Sequence, residues 1–318
     1  MSSAVVFPGQ GSQAVGMGRE LALAFAEARQ LFQEVDDALS QHLAKIMWEG
    51  PDDALVLTEN AQPALMAVSL AVIRVLESQG GWRIAEQARL VAGHSLGEYS
   101  ALAAAGSITV AETARLLKTR GQAMQKAVPV GEGAMAALLG PDIDQARAIA
   151  EEAAAGEVCA TANDNAPGQV VVSGSVAAVE RAMALAAEKG FKRAIRLPVS
   201  APFHCPLMQP AADVMAEALA KATIVPPVVP LIANVTASPT SDPEQIRALL
   251  VAQVTGTVRW RESVLAMKAM GVDRLVEAGA GKVLAGLAKR IDKDMAAVSL
   301  QTPADIESFF ASSKEGTP

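Results

Sequence analysis

The sequence predicts an α/β fold in which a small β-α-β-β-α-β unit is set into a larger alternation of strands and helices. Short apolar runs at residues 5–7 and 89–92 end in Gly-rich turns and pass straight into helical patterns. The segment 134–197 reads strand, helix, strand, strand, helix, strand, the order of a ferredoxin-like unit. Val128-Pro129-Val130-Gly131 and Pro198 bracket it as candidate hinges. This predicts a large domain from 1–127 and 198–318, with 128–197 inserted.

Composition bounds what such a chain can do. Its 318 residues are 51% hydrophobic but only 3% aromatic, so the core is expected to be Ala, Val, Leu and Met. A formal net charge of −7 argues against general nucleic-acid binding. Apolar runs such as 64–73, closed by Arg74, fall short of the roughly 20 residues a membrane span needs. Met1-Ser2-Ser3 leads into a strand without a basic segment, so a soluble cytoplasmic chain is expected. Cys159 and Cys205 make no disulfide framework, and with His42, His94 and His204 no spacing matches a metal site.

In chain order, the strand 5–7 precedes Gly9, Gly11 and Ala14, a permissive dinucleotide fingerprint. The acidic residue at the right distance, Glu34, lies in a helical pattern over 21–35 with no intervening strand, which argues against a nicotinamide cofactor. A helix is expected from Asn60, with Pro63 near its first turn. Another spans 112–126, where Arg115 and Lys118 read as a solvated basic face. In the inserted unit, strands are expected at 134–139, 157–162, 169–173 and 191–197, helices at 143–155 and 176–188, and a turn at 163–168. Beyond Pro198 come a helix to Lys221, a strand at 231–232, helices at 244–254 and 261–270, and a strand at 274–277. Gly279-Ala280-Gly281-Lys282 lacks the upstream glycine and the Ser or Thr of a P-loop, and reads as a turn before the helix 283–290. One more strand and helix precede a polar tail expected to fray.

The chemistry centres on Gly93-His94-Ser95-Leu96-Gly97, between the apolar run 89–92 and a helical run from Glu98. In that setting the pentapeptide is either a nucleophile elbow or a Gly-rich turn whose serine caps the helix. A nucleophilic serine needs a base, usually histidine. His94 is too close in sequence to reach Ser95 well, and His42 sits in a polar stretch without a motif. His204, in the proline-punctuated Pro202-Phe203-His204-Cys205-Pro206, is left as the base; the alternative is a loop histidine that bonds backbone. No Asp or Glu stands in a motif suited to a third member. Cys205 reads as a small buried residue.

Phe7-Pro8-Gly9-Gln10-Gly11-Ser12-Gln13, Gly93 to Tyr99, Arg120-Gly121, Asn165-Ala166-Pro167-Gly168-Gln169 and Phe203-His204 occur together in this order. By these motifs the chain resembles the malonyl-CoA:acyl carrier protein transacylases of bacterial type II fatty acid synthesis. The resemblance runs from Val5 to about Arg290 and implies a large α/β-hydrolase-like domain with a ferredoxin-like insertion. It implies that Ser95 carries malonyl as an ester, with His204 as base and then acid. Leu96 and Gln10 would supply oxyanion N–H groups, and Arg120 would pair with the malonyl carboxylate. The Gln253 backbone carbonyl would orient the imidazole, and Phe203 would exclude a 2-methyl group. The chain departs from the family at Ala280, where proline is frequent; this concerns the stiffness of a turn. Malonyl-CoA and acyl carrier protein would be substrates, with no cofactor, membrane or nucleic acid involved, and a monomer is expected.

Carrier proteins are acidic, so Lys189, Lys192, Arg193, Arg196, Lys118 and Lys126 are docking candidates, against a reading as ordinary surface charge. Rival readings are a serine esterase or thioesterase, the malonyl-loading subunit of a malonate decarboxylase, and a non-catalytic CoA or carrier-protein binder.

Overall fold

The computed structural model describes residues 2–191, 193–199 and 201–315. Among them are ten strands in two sheets. The larger sheet contains β1 (Ser3–Phe7), β2 (Ala88–Gly93), β7 (Leu231–Ala233), β8 (Ser238–Thr240), β9 (Arg274–Ala278) and β10 (Ala296–Leu300). Its order is β10-β9-β1-β2-β7-β8, and every pairing is parallel except the terminal one, β7 with β8. β1 is buried along its whole length, as expected for a central parallel strand covered on both faces. Its alternate residues divide between two apolar layers. Val5 and Phe7 face the helices Ala26–Leu39 and Thr58–Gly80, and Ala4 and Val6 face Trp260, Val264 and Leu284.

The smaller sheet contains β3 (Gly133–Leu139), β4 (Cys159–Ala166), β5 (Gln169–Ser175) and β6 (Arg193–Arg196), in the order β4-β5-β3-β6, all antiparallel. Helices Ile143–Ala154 and Val176–Glu188 pack together and, with the sheet, close an apolar cluster of their own around Leu138, Ile149, Val172 and Val179. The first of these helices starts with a reciprocal capping box between Asp142 and Gln145.

The 23-residue helix Thr58–Gly80 is long and apolar enough to cross a membrane by length and composition, yet it is a core helix, packed against Ala26–Leu39 and Val110–Ala127. It begins before the expected start, so Pro63 lies inside it. The helical pattern at 21–35 is broken at Phe25, whose extended backbone separates Arg19–Ala24 from Ala26–Leu39. The turn expected at 163–168 is a correction: β4 continues to Ala166, and only Pro167 and Gly168 form the turn. Asn163 and Asp164 look like turn formers, but an edge contact with Val258 of the larger unit holds them extended.

That contact is one of several ties between the sheets. Asp164 N–H donates to Val258 O and Val258 N–H to Ala162 O, both at 2.9 Å. The Thr257 hydroxyl donates to Thr161 O at 2.6 Å, and Arg261 forms a 2.9 Å ion pair with the buried Asp164.

Candidate active site

The carboxyl ends of the parallel strands, where open α/β sheets place their sites, meet the smaller unit around a cavity of about 640 Å³. Its lining includes Gln10 after β1, His94, Ser95 and Leu96 after β2, and Arg120 and Met124 from the helix Val110–Ala127. Met135 and Asn163 come from the smaller sheet, and Phe203 and His204 from the loop beyond Pro198.

Ser95 has φ 55°, a left-handed backbone that costs a non-glycine residue roughly 1–2 kcal/mol. Gly97 permits the turn, because a Cβ there would lie 2.3 Å from Phe7 O at the end of β1. Asn234, just past β7, clamps the elbow from both sides: its Oδ1 accepts from Ser95 N–H at 2.8 Å and its Nδ2 donates to Gly93 O at 2.7 Å. The strained turn is therefore held by side-chain hydrogen bonds that no local sequence signal announces.

The Ser95 hydroxyl lies 2.8 Å from His204 Nε2, and His204 Nδ1 lies 2.8 Å from the Gln253 carbonyl. The carbonyl only accepts, so Nδ1 carries the proton and the unprotonated Nε2 faces the serine. His204 is buried, and its pKa is pushed down to about 3, first by burial and then by the nearby Arg120 charge, with the Gln253 carbonyl acting the other way. The imidazole is thus neutral and able to accept a proton across the physiological range.

Arg120 is buried at 1% exposure. It reaches the site because the helices Thr58–Gly80 and Val110–Ala127 touch at Gly121, where a Cβ would lie 2.6 Å from Thr58 O. Its Nη1 donates to Gln62 Oε1 at 2.9 Å, and its Nη2 donates to Gln253 Oε1 at 2.8 Å and to Ser95 Oγ at 3.1 Å. All three acceptors are neutral, so a buried cation faces the cavity beside the serine with no carboxylate in direct contact among the described residues. Such a guanidinium is a receptor for a planar anion.

Neither Gln10 N–H nor Leu96 N–H has an acceptor among the described residues, and both residues line the cavity. They are open donors on residues that line the same cavity as Ser95, the kind of group an oxyanion requires. Phe203 also lines the cavity and is nearly buried. The sequence-derived residues Ser95, His204, Arg120, Gln253, Gln10, Leu96 and Phe203 are therefore gathered in one place. His94 turns away, its Nε2 2.9 Å from Asn165 Oδ1 of the smaller sheet, and the Cys205 thiol donates to Pro202 O. His42 is exposed.

Sequence reasoning missed Gln62, Glu98 and Asn234. Each is a buried polar residue at 5% exposure or less. Asn234 directly follows a strand at its carboxyl end, which was a usable signal; Gln62 and Glu98 sit inside helices and gave none. Three of the six candidate docking cations are paired. Lys189 bonds Glu152, Arg196 bonds Glu180 and Lys118 bonds Glu59, at 2.9, 3.0 and 3.2 Å. Lys126 and Arg193 are exposed, and Lys192 lies outside the described residues. That surface has mixed charge rather than a uniform basic patch.

The acyl transferase domain family matches residues 4–301. The chain is 46% identical over 301 residues to the malonyl CoA-acyl carrier protein transacylase of Escherichia coli K12, covering 95% of this chain and 96% of that one. The protein of the same name from Bacillus subtilis is 42% identical, with 98% and 97% covered. The crystal structure of the acyl-carrier-protein-S-malonyltransferase from Bartonella henselae superposes with TM-score 0.95 at 56% identity, covering 98% and 99% of the two chains. A type II PKS acyl-carrier protein in complex with its malonyl-transacylase also matches, at TM-score 0.94 and 42% identity, over 98% of this chain and 100% of that one.

Proposed function

We propose that this chain, which belongs to the acyl transferase family and within it to the malonyl CoA-acyl carrier protein transacylases, moves malonyl from CoA to an acyl carrier protein by way of Ser95. The observation that carries the reading is the Ser95 hydroxyl held at 2.8 Å from His204 Nε2 and 3.1 Å from Arg120 Nη2 in one cavity wall.

In the first half-reaction Ser95 Oγ attacks the thioester carbonyl while His204 Nε2 takes its proton. The Gln10 and Leu96 N–H groups receive the developing oxyanion, each such donor being worth about 10²–10³ in rate. The C–S bond breaks, His204 returns the proton to the CoA thiolate, and malonyl remains as an ester on Ser95. The second half-reaction repeats these steps in reverse, with the carrier's pantetheine thiol as the nucleophile (a ping-pong order). Thioester and ester exchange at similar energy, so the chemistry needs no cofactor.

Arg120 binds the free malonyl carboxylate through two parallel charge-assisted hydrogen bonds. An acetyl group leaves that buried cation without an anion, which is how the site selects. The same pairing offsets the Arg120 charge, one of the causes that depress His204, so the correct substrate raises the basicity of its own catalyst. Phe203 limits substitution at the malonyl 2-carbon. The apolar Met124, Met135, Leu197 and Val199 suit a pantetheine arm. The segment 128–197 is assigned as an inserted ferredoxin-like subdomain on the large α/β-hydrolase-like one, and the chain is taken as a cytoplasmic monomer with no membrane or nucleic-acid partner.

Intact-mass spectrometry after incubation with malonyl-CoA tests the reading. The expected result is a stable malonyl-sized gain on Ser95 that is lost when carrier protein is added, with malonyl appearing on the carrier thiol. Rapid release of free malonate would instead identify a hydrolase, and no gain would identify a binder.

A further inference from the structure

Glu98 is a buried carboxylate that the steps above do not use. It stands in the first turn of the helix Gly97–Ala104, three residues beyond the nucleophile, and is 1% exposed. Its Oε2 accepts from Gln253 Nε2 at 2.6 Å and from Asn234 N–H at 3.3 Å. Its Oε1 has no hydrogen-bond partner. A carboxylate serving only the fold looks different: Glu277, equally buried, accepts from Leu284 N–H, Ala285 N–H and the Ser299 hydroxyl, using both oxygens.

The Gln253 amide joins Glu98 to Arg120. The NH₂ end donates to Glu98 Oε2 and to Ser95 O, at 2.6 and 2.9 Å, while Oε1 accepts from Arg120 Nη2 at 2.8 Å. The orientation follows from the chemistry. A flipped amide would set an oxygen against a carboxylate at one end and an NH₂ against a guanidinium at the other. Arg120 and Glu98 are thus opposite charges in the same dry interior, one amide apart. A direct ion pair would occupy the fork that an incoming anion needs. Placing the counter-charge beyond an amide balances the buried cation while no carboxylate of the protein sits on the guanidinium, whose Nη2 is turned to Ser95 Oγ at the cavity.

We propose that Glu98 is a positioning residue for malonyl selection: as the remote counter-ion of Arg120, acting through the Gln253 amide, it holds the guanidinium aimed at the acyl carboxylate. This rests on the reading that Arg120 binds that carboxylate. Burial raises the Glu98 pKa to about 7 against the opposing Gln253 and Asn234 hydrogen bonds and the Arg120 charge, so the carboxylate form that faces Arg120 predominates above neutral pH.

The variant Glu98→Gln keeps the shape and an acceptor for Gln253 but removes the charge. In steady-state assays with malonyl-CoA and acetyl-CoA, it is expected to raise the malonyl KM by about tenfold, the lower end of what a directly contacting charge pair supplies. The acetyl constants should stay near wild type. Gln253→Met is expected to show the same loss of malonyl preference, and Glu98→Gln added to it should change nothing further. A wild-type malonyl-to-acetyl ratio in Glu98→Gln overturns the proposal. If that variant does not fold, an undiminished ratio in Gln253→Met overturns it. Arg120→Ala separates the two levels: if it too keeps the ratio, the carboxylate-binding role of Arg120 fails. If it loses the ratio while Glu98→Gln keeps it, only the Glu98 proposal fails.

Discussion

Replacing Arg120 probes the selectivity of this site most directly. In Arg120→Ala the malonyl carboxylate loses two charge-assisted hydrogen bonds, each worth about 1.5–3 kcal/mol. The sum, about 3–6 kcal/mol, corresponds to a fall of roughly 10²–10⁴ in malonyl kcat/KM at 1.4 kcal/mol per factor of ten. Acetyl has no carboxylate to lose, and removal of the Arg120 charge relieves part of the depression on His204, so acetyl transfer should hold or rise. Arg120→Lys keeps the charge but not the fork and should fall between the two. Thermal stability of Arg120→Ala should drop as well, because the Gln62 and Gln253 amide oxygens lose their donor in a buried setting. The assay is competition between malonyl-CoA and acetyl-CoA at limiting enzyme, reading both acyl products on the carrier thiol. A wild-type product ratio from folded Arg120→Ala refutes the reasoning.

Ser95→Ala should give no acyl adduct by intact mass with either thioester, while His204→Ala should load at a rate lower by about 10²–10⁴, the span of general-base contributions; adducts forming at the wild-type rate would dismiss both roles. The acid limb of acetyl kcat/KM should lie far below the ordinary histidine value of 6.5, because folding holds His204 near 3, so half-loss of rate near pH 6.5 would contradict that environment. The same group makes stability pH-dependent. Its folded pKa is depressed, so its contribution is present above 6.5 and is lost as pH falls toward 3, which His204→Gln should flatten in denaturant titrations. Gly97→Ala should lower the melting temperature sharply and slow acylation, since its Cβ would meet Phe7 O at 2.3 Å; a variant of unchanged stability would mean the elbow has room to spare.

The Ser95–His204 pair was legible in the sequence because the Gly93–Gly97 turn carries a local signature and only three histidines competed to stand beside it. Most of the strand and helix order was legible for a similar reason, since β1, β2 and the helix Val110–Ala127 carry clear apolar patterns. What stayed hidden depends on contacts between distant segments. The Gln253 side chain holds Arg120, which does not follow from its place in an apolar helix, whereas its backbone contact to His204 was expected only through the family resemblance. The clamp by Asn234 spans 139 residues of sequence from Ser95. β4 was read too short because the Asn163 and Asp164 side chains favour turns locally, whereas Val258 and Arg261 settle their conformation. The short edge strand β8 carries Pro239 and offered no strand pattern.

The seam along β4 has a consequence for engineering. The parallel sheet and the antiparallel one both contribute to the lining of the cavity, and backbone bonds at Val258, the Arg261–Asp164 pair and the His94–Asn165 contact fasten them together, the last of these at the residue next to Ser95. Walls joined so close to Ser95 cannot swing apart without breaking that seam. The width of the chamber is therefore set by the side chains that project into it, Phe203, Met124 and Met135 among them. Broadening the repertoire of such an enzyme is a matter of trimming those side chains, and loosening the joints at 128–131 or 198 would cost stability without enlarging the room.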